Sequence, residues 1–137
     1  MTADDLLNML REKGVQSDTL RDAVHEASHA VECGCPDDRW GDREAIHAAV
    51  CRRHPRPAHQ VREEVEARAT EWEACERYGI DYDVESWAPM AAMEAVKCGV
   101  SMPYDAWVEG IQRVREDGTG AVRLDRLLAH LGVSEAP

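Results

Sequence analysis

Phenylalanine is missing from this 137-residue chain, and aromatic residues together make up only 5% of it. The core must therefore come from Leu, Val, Ala, Met and four tryptophans, a palette that suits packed helices better than sheet faces. Lysine is nearly missing too, occurring only at Lys13 and Lys97. No excess of positive charge exists: the net charge is −11, which argues against a nucleic-acid backbone or an anionic membrane surface as the main partner. Long apolar runs are also lacking, so no segment is expected to cross a bilayer, and the acidic opening Met1 to Asp5 does not resemble an export signal. Five scattered cysteines give an odd number and no disulfide framework, and point to a reducing cytoplasm. Internal repeats, low-complexity tracts and Gly-, Ser- or Pro-rich linkers are absent, so residues 1–137 are expected to form one domain.

What the chain does contain is helical periodicity punctuated by Gly and Pro. Leu6, Leu7, Met9 and Leu10 predict a short amphipathic helix from Asp4 to Lys13, stopped at Gly14. Ser17, Asp18 or Thr19 can cap a second helix, with Asp22 three residues after Thr19 as in a capping box and Leu20, Ala23, Val24, Ala27, Ala30 and Val31 on its apolar face. Gly34 and Pro36 end it, and a loop runs to Gly41. Asp42 caps a third helix ending near Arg53, before His54-Pro55-Arg56-Pro57. A long helix is predicted over Ala58 to Tyr78 with a Val61, Val65, Ala69, Trp72, Cys75 stripe. Ile80 to Trp87 reads as loop. Helices are then expected to start at Pro89 and Pro103, and a turn at Asp117 to Gly120 precedes a last helix carrying Leu124, Leu127, Leu128 and Leu131. Residues 134–137 are expected to fray. Trp72 and Trp107 read as core anchors, with Trp40, in an acidic loop, as the exception. The fold class is all-α, a single bundle of about six or seven helices.

Within the second helix lies His25-Glu26-Ala27-Ser28-His29, an HExxH pattern. Residues four apart share a helix face, so His25 and His29 can offer ring nitrogens to one metal ion, with zinc the natural candidate. Glu26, beside the first ligand, then stands where it can take a proton from water activated by the metal. A catalytic zinc takes a third protein ligand, and the predicted long helix is the obvious donor. Helical projection at about 100° per residue brings Glu64 closest to that helix's apolar stripe.

The run His25 to Val31 resembles the active-site helix of zincin metallopeptidases, and its HEAxHA form is similar to that of the AAA-linked membrane proteases. The phosphate-binding loop of those proteases is missing, and Glu32 and Cys35 stand where a metzincin has its Gly and third His. The run Glu63 to Thr70 resembles the glutamate helix of gluzincins and the ExEAxxxA pattern of ImmA/IrrE-like peptidases. This resemblance implies Glu66 as third ligand, so Glu66 and Glu64 both stand as candidates. It further implies peptide-bond hydrolysis on a peptide or protein substrate, with Glu26 as general base and Tyr78, Tyr82 or Tyr104 as a candidate oxyanion donor. Many zincins hold substrate on an edge strand before the HExxH helix; only a short helix precedes it here. A second class of function is a non-enzymatic regulatory or interaction protein, in which His29, Cys33, His47 and Cys51 close a structural zinc site or no metal binds.

Overall fold

The structure is a computed structural model that describes residues 1–133, so the tail expected to fray, 134–137, lies outside the described residues. Seven helices are formed among the described residues, and no strand. They are α1 (Ala3–Glu12), α2 (Leu20–Glu32), α3 (Arg43–Arg53), α4 (Pro57–Arg77), α5 (Val84–Lys97), α6 (Tyr104–Glu116) and α7 (Thr119–His130), with one 3-10 turn at Asp37–Arg39. None of them is long and apolar enough to cross a membrane.

Local chemistry sets most helix ends. Thr2 and Asp5 form a full capping box on α1, while Thr19 accepts from the Asp22 amide at 3.2 Å to start α2. Asp42 caps α3 through the amides of Glu44 and Ala45, and Pro57 takes the first turn of α4, where its missing N–H is harmless. Two boundaries differ from the sequence reading. α5 starts at Val84, five residues before Pro89, because Asp83 caps it by accepting from the Glu85 amide and the Ser86 hydroxyl. Pro89 then sits inside the helix and forfeits one backbone bond, a loss offset by burial of Val84 and Ala88. α7 starts within the expected turn. Gly118 adopts a left-handed φ of 89° and Gly120 already lies in the helix, where a Cβ would come 2.7 Å from the Ala69 carbonyl oxygen. Gly120 therefore permits close approach of α7 to α4.

α4 is the central element and packs against α2, α3, α5, α6 and α7. One apolar cluster joins α1, α2 and α7 through Leu6, Leu10, Val24, Ala27, Leu124 and Leu127. A second joins α4, α5 and α6 through Val61, Val65, Ala88, Ala91, Trp107 and Ile111. Small residues on α2, among them Ala23, Ala27 and Ala30, are fully buried and let neighbouring backbones approach closely. Trp40 corrects the sequence reading: it is buried against the first cluster, stacked on His130, with its indole N–H directed to the Cys35 carbonyl at 3.4 Å. An acidic loop says nothing about the tertiary surface its tryptophan covers. Trp107 is buried as expected, whereas Trp72 is half-buried and stacks on Tyr82. Because α4 is surrounded, it buries polar residues as well as its stripe: Glu63, Arg68, Thr70 and Glu71.

Candidate metal centre

Buried charge on a central helix needs partners, and the partners of α4 come from the HExxH turn. His25 Nε2 and His29 Nε2 lie 3.1 Å apart. The Glu64 carboxylate spans them, Oε1 at 3.2 Å from His25 Nε2 and Oε2 at 3.1 Å from His29 Nε2. Their ring planes are nearly perpendicular, at 88°. If both imidazoles are neutral and carry their proton on Nδ1, two ring lone pairs and a carboxylate face one another, an arrangement that a shared proton or metal cation relieves. Two nitrogens on a tetrahedral zinc, each about 2.0–2.1 Å from it, stand roughly 3.3 Å apart. The observed spacing is close to that value.

Behind each imidazole stands another carboxylate. Glu63 Oε1 lies 3.2 Å from His29 Nδ1, and Glu71 Oε1 lies 2.8 Å from His25 Nδ1. The Glu71 contact is short but poorly aligned, leaving His25 Nδ1 without a well-formed hydrogen bond. Carboxylates placed behind metal-bound histidines fix the ring orientation and raise ligand basicity. Each is itself held. Arg123, from α7, donates to Glu63 at 2.6 and 3.0 Å and to Ser28 Oγ at 2.8 and 3.2 Å. Arg68 donates to Glu64 at 3.0 Å and to Glu71 at 3.1 Å, and the Tyr82 hydroxyl donates to Glu71 at 2.6 Å.

Three carboxylates, Glu63, Glu64 and Glu71, thus share two guanidiniums, Arg68 and Arg123. Burial opposes charge on the His29 ring, but hydrogen bonds with Cys33, Glu63 and Glu64 hold its pKa well above the ordinary value. Burial likewise opposes ionisation of Glu63, yet the bonds from His29 and Arg123 bring it down to about 2. Glu64 is also held well below the carboxylate range, its burial outweighed by His25, His29 and Arg68.

Among the described residues, two groups can hold a metal ion: His25, His29 and Glu64, and His29, Cys33 and Glu63. The second shares His29 and draws on a Glu63 already forked by Arg123, whose cation opposes a metal there. Glu66 is placed elsewhere: its carboxylate lies 3.6 Å from Arg123 Nη1 and is half-exposed. Two positions apart on a helix are roughly 200° around it, so Glu64 and Glu66 cannot both face the histidines. The His29, Cys33, His47, Cys51 set does not converge. Cys33 joins His29 and Glu63, whereas Cys51 stays beside His47 at 3.6 Å.

Glu26 lies on the wall of a cavity of about 410 Å³ together with His25, His29 and Glu64. Arg43 Nε meets its carboxylate at 2.7 Å. Burial raises the Glu26 pKa, and Arg43 and His25 partly counter it. No tyrosine lines this cavity among the described residues: Tyr82 is engaged with Glu71, the Tyr78 hydroxyl lies 3.8 Å from Met1 Sδ, and Tyr104 is exposed. Sequence reasoning missed Glu63, Arg68, Glu71 and Arg123. Arg68 and Glu71 carry a signal, since they share one helix face with Glu64; Arg123 carries none, because its partners are 60 and 95 residues away.

No protein-family model matches this chain, and no curated protein or solved structure matches it significantly.

Proposed function

We propose that the chain is a zinc-dependent hydrolase of zincin type that cleaves a peptide bond. His25, His29 and Glu64 hold the metal, and Glu26 acts as general base. The single observation behind this reading is the convergence of two Nε2 atoms and one carboxylate at 3.1–3.2 Å, with a further carboxylate behind each ring. Two histidines and a glutamate are a catalytic zinc donor set, since they leave a coordination position for water. A zinc ion held by these residues would lower the pKa of a bound water and polarise a carbonyl. Glu26 takes the proton and delivers it to the leaving amine, a role that its raised pKa favours. Glu63 and Glu71 orient the rings, while Arg123 holds Glu63 and Arg68 holds Glu71 in place.

The test is zinc content together with turnover. Wild-type protein should bind one zinc and His25→Ala none, and Glu26→Gln should keep the metal while losing hydrolysis of a mixed short-peptide pool. A wild type without stoichiometric zinc refutes the metal reading, and a zinc-loaded Glu26→Gln as active as wild type refutes the base. One observation favours a second reading, a metal-binding protein without catalysis: the 2.7 Å pair between Glu26 and Arg43 occupies the base. Under that reading zinc binds and no peptide is cleaved by wild type or by Arg43→Gln.

A further inference from the structure

Arg43 stands where two hollows meet. It lines the cavity of about 410 Å³ that holds the candidate metal centre, and it also lines an open groove walled by Arg11, Val15, Ser17 and Thr19, between the α1–α2 loop and the start of α3. Asp22 is the other residue common to both.

The Arg43 guanidinium is only partly used. Its Nε meets Glu26 at 2.7 Å, while Nη2 reaches the Gln16 carbonyl at 3.5 Å, longer than a well-formed hydrogen bond. Nη1 has no partner among the described residues, and the side chain is 71% exposed, so the end of the fork is open to a ligand. The other cations of the cavity are committed. Arg68 is buried and divided between Glu64 and Glu71, and Lys97 pairs with Glu94 at 3.0 Å. His47, one turn beyond Arg43 on α3, is exposed and lines the same cavity, so this side of the mouth presents donors. A guanidinium fork matches a carboxylate with two parallel bonds. Of the acids at the junction, Glu26 takes Nε and Asp22 lies 3.5 Å from Arg21, which leaves the Nη1 and Nη2 end for a carboxylate from outside. No strand exists among the described residues to pair with an extended polypeptide, so a ligand must be fixed by side-chain contacts.

We infer that Arg43 binds a ligand carboxylate, and that the substrate is a short peptide carrying this carboxylate on the residue just after the cleaved bond, as its C-terminus or as an acidic side chain. The substrate claim rests on the zinc reading above; carboxylate binding at Arg43 does not. Water adds to the scissile carbonyl at the metal centre and the C–N bond breaks. The leaving amine, protonated through Glu26, departs with the carboxylate that Arg43 gripped.

The test uses the full chain and three probes: benzoyl-glycyl-alanine, with a free C-terminus; benzoyl-glycyl-isoglutamine, with its carboxylate on the side chain alone; and the neutral benzoyl-glycyl-alaninamide. With zinc-loaded protein, kcat/KM for one or both acidic peptides should exceed that for the amide by about 10-fold, mainly through KM, the worth of one charge-assisted contact. The preferred acidic peptide tells a C-terminal from a side-chain carboxylate. Arg43→Gln should bring the ratio of acidic to neutral peptide near one, whereas Arg43→Lys keeps part of it. Equal values or a preference for the amide in wild type, or an undiminished ratio in a folded Arg43→Gln, overturns the inference and leaves the zinc reading standing. Binding to metal-free protein, followed by the carbon resonance of Arg43 Cζ, separates the two. If no zinc is held and nothing is cleaved, a shift caused by an acidic peptide and not by the amide means that the zinc reading falls and the carboxylate site survives. An Arg43 resonance unmoved by either acidic peptide overturns the carboxylate site.

Discussion

Replacing Glu63 by Gln removes one negative charge from behind His29 while keeping the side chain's shape. Glu63 and Arg123 are each 2% exposed and joined by bonds of 2.6 and 3.0 Å, so the variant leaves a buried guanidinium without its counter-ion. Breaking a buried pair from one side costs about 3–5 kcal/mol. The lower end applies here, since Glu66 at 3.6 Å and Glu32 at 4.0 Å still face Arg123 and Ser28 keeps its bonds. For a chain of this length about 3 kcal/mol corresponds to a fall in Tm of roughly 10 °C. Zinc affinity should drop as well, roughly 10–100-fold, because His29 loses the carboxylate that orients it. Thermal unfolding of the metal-free protein and competition against a zinc chelator measure the two effects. Adding Arg123→Met to Glu63→Gln should recover part of the stability, since no charge is then stranded, but none of the zinc affinity. The reasoning is refuted if Glu63→Gln melts within about 2 °C of wild type and binds zinc equally well, or if the double variant costs the sum of the singles.

Three further outcomes follow from the geometry. Glu64→Gln should abolish stoichiometric zinc whereas Glu66→Gln retains it, by elemental analysis after dialysis; the reverse result would put the third ligand on the other helix face. Gly120→Ala should destabilise by about 1–3 kcal/mol in urea unfolding, because its Cβ would meet the Ala69 carbonyl oxygen at 2.7 Å, and a neutral result would mean that α7 shifts freely on α4. Asp37 joins Lys13 and His130, and hydrogen bonds from His130 and then Lys13 hold its carboxyl below the usual 3.8. Its folded pKa is depressed, so the stabilisation is present above the unfolded value and lost as pH falls through the folded one. Asp37→Asn should therefore flatten stability against pH below about 4 relative to wild type, and parallel curves would exclude the contribution.

How much of the site was legible depended on how local its chemistry is. His25, Glu26 and His29 are one turn of one helix, and their spacing alone puts both rings on the same side. The choice between Glu64 and Glu66 was a question of helix rotation. Projection favoured Glu64 and the family pattern favoured Glu66; the packing of α4 on α2 turns Glu64 toward the rings and Glu66 toward Arg123. The helix at Val84 was hidden because Pro89 is a strong local breaker, while the Asp83 cap and the burial that outweigh it act together only in the folded chain.

By itself the sequence determined the helical class, most of the helix ends and the pair of histidines, because caps, proline and 3.6-residue periodicity act within a few residues. Only the tertiary structure decided which glutamate joins them, that Arg123 from the last helix neutralises Glu63, that Trp40 is buried, and that a cavity opens beside the histidines. Those depend on contacts between residues tens of positions apart, where charge pairing and burial are set by how helices pack rather than by what stands next to each residue.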